Sequence, residues 1–377
     1  MYITFLLAMK GTALYNLASA VLLLCTAVLL YRTKTSICIP AKFLTIPYLV
    51  FACGLTLSSV LQGEANNIVK VLHYIYITLP LFLMYAGGRC FVRHDVIYKA
   101  MAVAAGITAA VCISSCLDPH AWLDGRFSPE SHPNVTVQLL LLPVPFVMVA
   151  LYKLRASKLW TAVNIVSLLV ILMAAFLTRS RGGLGGFLVG LLILGTLSWP
   201  VLKSGWSYKK TAVVSLLLAV FMTLISLFVA LNVFARTGSD QGRLYLLYTS
   251  VRMFEDHPLC GIGFDNWSRE YPRYIHPESN EPHLTHAHND VLNLMATTGA
   301  LGAGGYVFFS VMTWLYLVKR LTAQPREAML WAMLWMFLSL QIHGFVDISV
   351  QYNQSARMFF GMLGLTLAIA DKEREIV

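Results

Sequence analysis

Charge is scarce in this chain. Asp, Glu, Lys and Arg supply 12% of its 377 residues, against 58% hydrophobic, whereas a soluble domain carries about 25% charged residues. So much apolar surface does not fit inside a water-soluble core, and the composition excludes one. Cysteines placed to pair are lacking too. Cys25, Cys53, Cys90, Cys112 and Cys116 lie in or beside apolar runs, Cys38 lies in a basic loop, and Cys260 lies in the one long polar segment. No CxxC occurs and no pair is placed for a disulfide, so the thiols read as small apolar side chains. The chain has no internal repeat, no low-complexity tract and no cleavage site of the A-x-A kind after its first hydrophobic stretch. It also lacks a GxSxG, an HExxH and a paired-carboxylate glycosidase pattern in a credible context. Gly182-Gly-Leu-Gly-Gly186 is not a nucleotide loop, because it opens a span and has no P-loop Lys-Ser/Thr. The excess of 28 Lys and Arg over 18 Asp and Glu does not point to nucleic acid. Most of the cations sit in short loops, with no basic, aromatic-interleaved soluble module.

What is present is a series of apolar windows, at about 12–31, 43–62, 68–87, 97–117, 134–152, 159–178, 183–200, 211–234, 298–318, 328–348 and 355–371. A span needs about 20 mostly apolar residues. The chain therefore reads as an all-α polytopic membrane protein with about 11–12 transmembrane helices. Met1–Met9 is apolar but too short to span, and reads as an interfacial stub or the remnant of a further helix. The organisation that follows is a transmembrane bundle over 1–234, a polar segment with short helices over 235–297, and further transmembrane helices over 298–377.

Loop charge orients the spans. Arg32, Lys34 and Lys42 follow the first window; Arg89, Arg93 and Lys99 the third; Lys153, Arg155 and Lys158 the fifth. Lys203, Lys209 and Lys210 follow the seventh; Lys319, Arg320 and Arg326 the ninth. These loops are expected inside, together with Asp371–Val377. The alternate loops face outward: Asp118–Pro133, Thr178–Gly182, 235–290 and Asp347–Ser355. Arg179 and Arg181 break the pattern, since short outer turns do not usually carry two cations. Snorkelling to lipid phosphate is the plain explanation.

The outer segment is too long for an ordinary loop. A short helix is expected from Gly242 to Phe254, with its aromatic and aliphatic residues on the membrane surface. Five of the ten histidines lie in this segment: His257, His276, His283, His286 and His288. Three readings are open. His283-x-x-His286-x-His288 has a superficial metal-ligand spacing, but His-x-His needs an extended segment or a turn to aim both rings at one ion. The second is a solvated loop that is merely rich in histidine. The third is acid–base chemistry or substrate orientation, since histidine titrates near neutral pH. The arginines favour the third. Guanidinium matches phosphate oxygens bidentately and is always charged, so Arg181 and Arg243 near a histidine suit a lipid-linked phosphate or diphosphate. The adjacent glycines permit close backbone approach, or equally pack helices.

His288-Asn289, nine residues, then Gly299-x-x-Gly302 resembles the signature of the O-antigen ligase family of bacterial envelope glycosyltransferases. Thr178-Arg-Ser-Arg181-Gly resembles that family's arginine at the end of a span, and Gly242-Arg243-Leu244 its second arginine. The order of these pieces agrees over most of the chain. The signature is shared with O-antigen polymerases and protein O-oligosaccharyltransferases, so it does not fix the acceptor. The resemblance implies an inverting, metal-independent transferase with no cofactor, in the bacterial inner membrane with its active site facing the periplasm. It implies an undecaprenyl-diphosphate-linked glycan donor and a lipid A–core sugar as acceptor. On this chain His288 would be the base, while Arg181 and Arg243, assisted by Arg179, would hold the diphosphate. Asn289 would orient the ring or a glycan hydroxyl, and His286 resembles a second family histidine. From a different class, a transporter of lipid-linked glycan would need charges at the bilayer midplane and broken helices.

Other residues read as structural. Asp347 and Arg357 are expected to pair with each other, or else to line the same cavity. His343 reads as a hydrogen-bonded core residue. Tyr245, Tyr248, Trp267, Tyr271 and Tyr274 read as interfacial aromatics before sugar-stacking ones. Asn134, Asn266 and Asn353 match glycosylation sequons by chance.

Overall fold

A computed structural model describes residues 12–34, 38–90, 94–130, 132–218, 220, 237–279, 281 and 283–376. The described backbone is 79% helical, as a bilayer demands, because only internal hydrogen bonds can satisfy a peptide group in hydrocarbon. Helices α1 (Thr12–Thr33), α2 (Lys42–Gln62), α3 (Ala65–Thr78), α4 (Pro80–Cys90) and α5 (His94–Cys116) lead to a hairpin of β1 (Trp122–Leu123) and β2 (Arg126–Phe127). There follow α6 (Pro133–Leu141), α7 (Val144–Lys153), α8 (Lys158–Leu177), α9 (Arg181–Ser204) and α10 (208–218). The polar segment forms α11 (Thr237–Asp256) and α12 (Trp267–Tyr274). The chain then returns through α13 (Asp290–Ala323), α14 (Ala328–His343) and α15 (Asn353–Ile376).

Among the described residues seven helical stretches are long and apolar enough to cross a membrane, and Ser19–Thr33 and Ala328–His343 are shorter apolar helices. Two spans, Ala65–Cys90 and Pro133–Lys153, are each built from two helices that meet near a proline, Pro80 and Pro143. Proline lacks the N–H that would continue the ladder. Met1–Met9 and most of the 211–234 window lie outside the described residues. The ninth window differs from expectation in its start: α13 begins at Asp290, not at 298, and breaks at Gly299.

That break explains the Gly-x-x-Gly signature. Gly299 adopts φ 62° and ψ −161°, a region that essentially only glycine tolerates. A Cβ there would lie 2.4 Å from the Leu259 carbonyl carbon. The opened backbone pairs instead with the 258–263 loop. Ile262 N–H donates to Ala296 O and Gly263 N–H to Thr297 O, both at 2.9 Å, while Ala300 N–H donates to Pro258 O at 2.8 Å. Gly302 and Gly305 then let α13 lie against α2, where a Cβ on Gly305 would meet Phe51 Cα at 2.9 Å. We predict that Gly299→Ala costs about 2–4 kcal/mol, from backbone strain plus overpacking. A thermal melt in detergent that matches wild type would refute this account of the break.

Contacts sort the loops into two ends. At one end the polar segment is clamped to the α2–α3 turn. Gln62 donates from its amide to Gly261 O, Ser58 Oγ donates to Cys260 O at 2.6 Å, and Arg269 holds Glu64 through two bonds of 3.0 and 2.9 Å. At the other end Arg320 pairs with Asp371 at 2.5 Å, Tyr85 donates to Asp371 at 2.7 Å, and Lys372 donates to Arg89 O at 3.3 Å. The second end is built from loops that carry the cationic excess.

The polar segment has a small core of its own. Leu246, Met253, Ile262, Trp267, Tyr271, Ala287 and Ala296 pack together. Trp267 and Tyr271 are each 1% exposed, so they hold this core and are not interfacial aromatics. Leu244, Leu247, Tyr248 and Val251 remain exposed on α11, at the i, i+3, i+4, i+7 spacing of one helix face.

Candidate active site

His286 and His288 flank a buried anchor. Ala287 is 4% exposed and belongs to the core of the polar segment, and its N–H donates to Asn293 Oδ1 at 3.0 Å. His288 has φ 49°, the left-handed conformation that non-glycine residues rarely adopt. This turn supplies what a His-x-His pair needs in order to converge. The rings stand 4.3 Å apart between centroids, and both reach one carboxylate oxygen. His286 Nε2 and His288 Nδ1 each lie 3.0 Å from Asp347 Oδ1.

Asp347 sits in the turn between α14 and α15 and is 3% exposed. Its Oδ1 also accepts the Ile348 N–H at 2.8 Å, and its Oδ2 accepts Asn134 Nδ2 at 2.7 Å. Burial pushes a carboxyl towards the neutral form, but here the hydrogen bonds from His286 and His288, and the attraction of either ring whenever it is protonated, prevail. Asp347 is held well below the usual carboxylate range, so it is an anion. The expected Asp347–Arg357 pair therefore gives way to a different set of partners, and the Arg357 guanidinium lies 6.0 Å over the Tyr76 ring. An ionised Asp347 accepts, so His288 Nδ1 donates to it. The Nε2 atom of His288 then carries the lone pair, and it has no hydrogen-bond partner among the described residues. His286 has both nitrogens engaged, since Nδ1 meets Thr285 Oγ1 at 2.8 Å.

The network continues to the arginine segment. Asn134 Oδ1 accepts Ser180 Oγ–H at 2.8 Å, and Ser180 caps α9 between Arg179 and Arg181. Arg126 donates to Thr178 O at 2.9 Å, which ties β2 to the same turn. An unbroken chain of hydrogen bonds thus joins the turn bearing Arg179 and Arg181 to His288. Arg179 is exposed, with φ 50°. The Gly182–Gly186 run packs helices: a Cβ on Gly182 would meet Val346 at 2.5 Å, and one on Gly183 would meet Val137 at 2.1 Å. Arg243 is exposed on α11.

Residues 165–307 match the protein-family model described as O-antigen ligase. This segment of the chain is similar to the O-antigen ligase family, which supports the resemblance carried by the His288-Asn289 and Gly299-x-x-Gly302 signature. The matched segment contains every residue singled out above as base or diphosphate ligand, while Asn134 and Asp347 lie outside it. No curated protein matches the chain. The match, with the apolar helices, supports a ligase- or polymerase-like glycosyltransferase in a multi-pass bacterial membrane protein.

Asn289, beside His288, has its amide committed to structure. Its Oδ1 accepts the Leu292 N–H at 3.0 Å as the cap of α13, and its Nδ2 donates to Phe345 O at 3.1 Å. Next to it, Asp290 accepts from the backbone N–H groups of Ser349 at 2.9 Å and Val350 at 3.3 Å. Together they fix the Asp347 turn to the start of α13, so signature and carboxylate form one unit.

Sequence reasoning missed Asn134, His132 and Arg126. The signal available was their place in an outward loop rich in polar groups next to a proline-started helix. His132 Nδ1 accepts the Asn134 N–H at 3.3 Å. Burial lowers the His132 pKa from 6.5 despite the nearby Asp347 carboxylate, and the charges of His288, Arg126 and His286 oppose its protonation further. The unfolded chain therefore takes up a proton that the folded one resists. Stability from this group is full above the unfolded value of 6.5 and declines as pH falls below it. We predict a melting temperature that drops from pH 7.5 to pH 5.5, with a smaller drop in His132→Asn, which can still cap α6. Equal drops in both would refute the assignment.

Proposed function

We propose that this chain is an O-antigen ligase. It would be an inverting glycosyltransferase that moves glycan from undecaprenyl diphosphate to a sugar hydroxyl of lipid A–core at the periplasmic face of the inner membrane. The observation that carries the reading is the Asp347–His288 pair, with its unpartnered Nε2, wired through Asn134 and Ser180 to the Arg179–Arg181 turn. In this reading the acceptor hydroxyl gives its proton to His288 Nε2 as its oxygen attacks the anomeric carbon. Asp347 stabilises the imidazolium that forms, the role of the buried acid in acyl-transfer triads. The bond from the anomeric carbon to the diphosphate oxygen breaks, and the diphosphate leaves with the electron pair. Arg181 and Arg243, with Arg179, offset the charge that develops on it. Diphosphate is a good leaving group once its charge is countered, so the poor nucleophile is where a base contributes most. No step calls for a cofactor or a metal.

The test is a lipopolysaccharide gel from a strain lacking the gene, complemented with wild type, His288→Ala or Arg181→Ala, beside the chain length of the carrier-linked glycan. A ladder restored by wild type alone, with long carrier-linked polymer in the deletion, supports the ligase. Single repeat units on the carrier in the deletion would make the protein a polymerase instead.

A further inference from the structure

The base and its two partners share one more property. One ring nitrogen each of His286 and His288 and an Asp347 carboxylate oxygen all lie within 4.8 Å of one another, and His286 Nε2 and His288 Nδ1 each lie 3.0 Å from Asp347 Oδ1. Two imidazoles and a carboxylate are the donor set that borderline transition dications prefer over Mg²⁺ and Ca²⁺. Their metal distances of about 2.0–2.2 Å are reached by drawing in three atoms that already converge. Asp347 is ionised and held from its far oxygen by Asn134 at 2.7 Å, the outer support that metal carboxylates usually have. The two histidine side chains are each 23% exposed, so the cluster is open to an ion and to the water that would complete a tetrahedron. His283, which the sequence spacing put in such a site, is exposed and is not one of the three.

We propose that His286, His288 and Asp347 form a binding site for a divalent transition ion of the Zn²⁺ class, and that the bound ion switches the base off. The proton inventory gives the reason. Zinc takes the lone pair of His286 Nε2, whose proton moves to Nδ1, where Thr285 Oγ1 at 2.8 Å accepts it. Zinc takes the lone pair of His288 Nδ1, and that ring's proton moves to Nε2. Three metal–ligand bonds form, two hydrogen bonds to Asp347 are lost, and no proton is released from neutral rings. His288 Nε2 then carries hydrogen and cannot accept the proton of an incoming hydroxyl. The ion is an inhibitor here, and the inhibition arm rests on the reading of His288 as base, whereas the binding arm does not.

The experiment titrates the full-length protein, purified in detergent without a polyhistidine tag, with ZnCl₂ and with MgCl₂ by calorimetry. Wild type should bind one Zn²⁺, with no comparable Mg²⁺ site. His286→Ala and Asp347→Asn should each weaken zinc binding at least about tenfold, and His283→Ala should leave it unchanged. A melting curve for each variant separates lost ligands from lost fold, and His286→Gln serves if the alanine variant unfolds. Absence of a saturable zinc site, or one that persists in both ligand variants, overturns the proposal. Glycan transfer by wild type should fall as that site fills. Binding without inhibition would uphold the site and overturn the assignment of His288 as base.

Discussion

His288→Ala should lower the turnover of glycan transfer by about 10²–10⁴-fold, the range a positioned general base contributes, with little change in donor KM. The residue is a partly exposed side chain at the edge of the network, and the carboxylate it leaves keeps Asn134, His286 and the Ile348 N–H as donors. The variant should therefore fold. The measurement is a transfer assay with purified lipid-linked donor and lipid A–core, with the melt recorded in parallel. Turnover within about threefold of wild type would remove His288 from the chemistry, because loss of a base is expected to cost far more.

Asp347→Asn should come close to that loss by a different route. The substitution keeps the size of the side chain but replaces one acceptor oxygen with a donor NH₂. If the amide oxygen faces the histidines, its NH₂ meets the Asn134 NH₂, and two donors oppose each other. If it is turned round, its NH₂ faces His288 Nδ1 and favours the tautomer with the proton on Nε2, which cannot act as a base. We expect a loss of about 10²–10⁴-fold in turnover, the effect of setting the wrong tautomer, without loss of donor binding. Asp347 also holds the imidazolium that forms as the hydroxyl is deprotonated. A fall in turnover matched by an equal loss of fold in the melt would make Asp347 a purely structural residue. Asp347→Ala is a poorer test, because it leaves several buried donors unpaired and costs stability.

The apolar windows predicted helices because a bilayer leaves no other way to satisfy the backbone, and the described helices follow them. Gly299 marks where this logic stopped. Apolar residues continue on both sides of it, so hydropathy alone could not place the break, and the mating 258–263 loop is remote in sequence. By sequence Trp267 and Tyr271 are expected at the interface, because aromatics next to spans usually are, yet the polar segment is long enough to bury a core of its own. Asp347 looked like a partner for Arg357 because the two are ten residues apart at one end of a helix pair. Its partners are Asn134, 213 residues earlier in the chain, and His286 and His288, 61 and 59 residues earlier.

By itself, then, the sequence determined the class of the protein, the alternation of its loops and the residues able to do phosphate and proton chemistry. Those follow from composition and local spacing, which act over a few residues. Only the tertiary structure decided that His288 is turned so that its Nδ1 faces a buried carboxylate, that His286 has both nitrogens engaged, and that Asn134 connects this pair to Ser180. Such contacts depend on how helices distant in sequence meet, and the side-chain types alone allow many pairings. Burial then selects among them, because an anion as enclosed as Asp347 persists only where several donors converge on it.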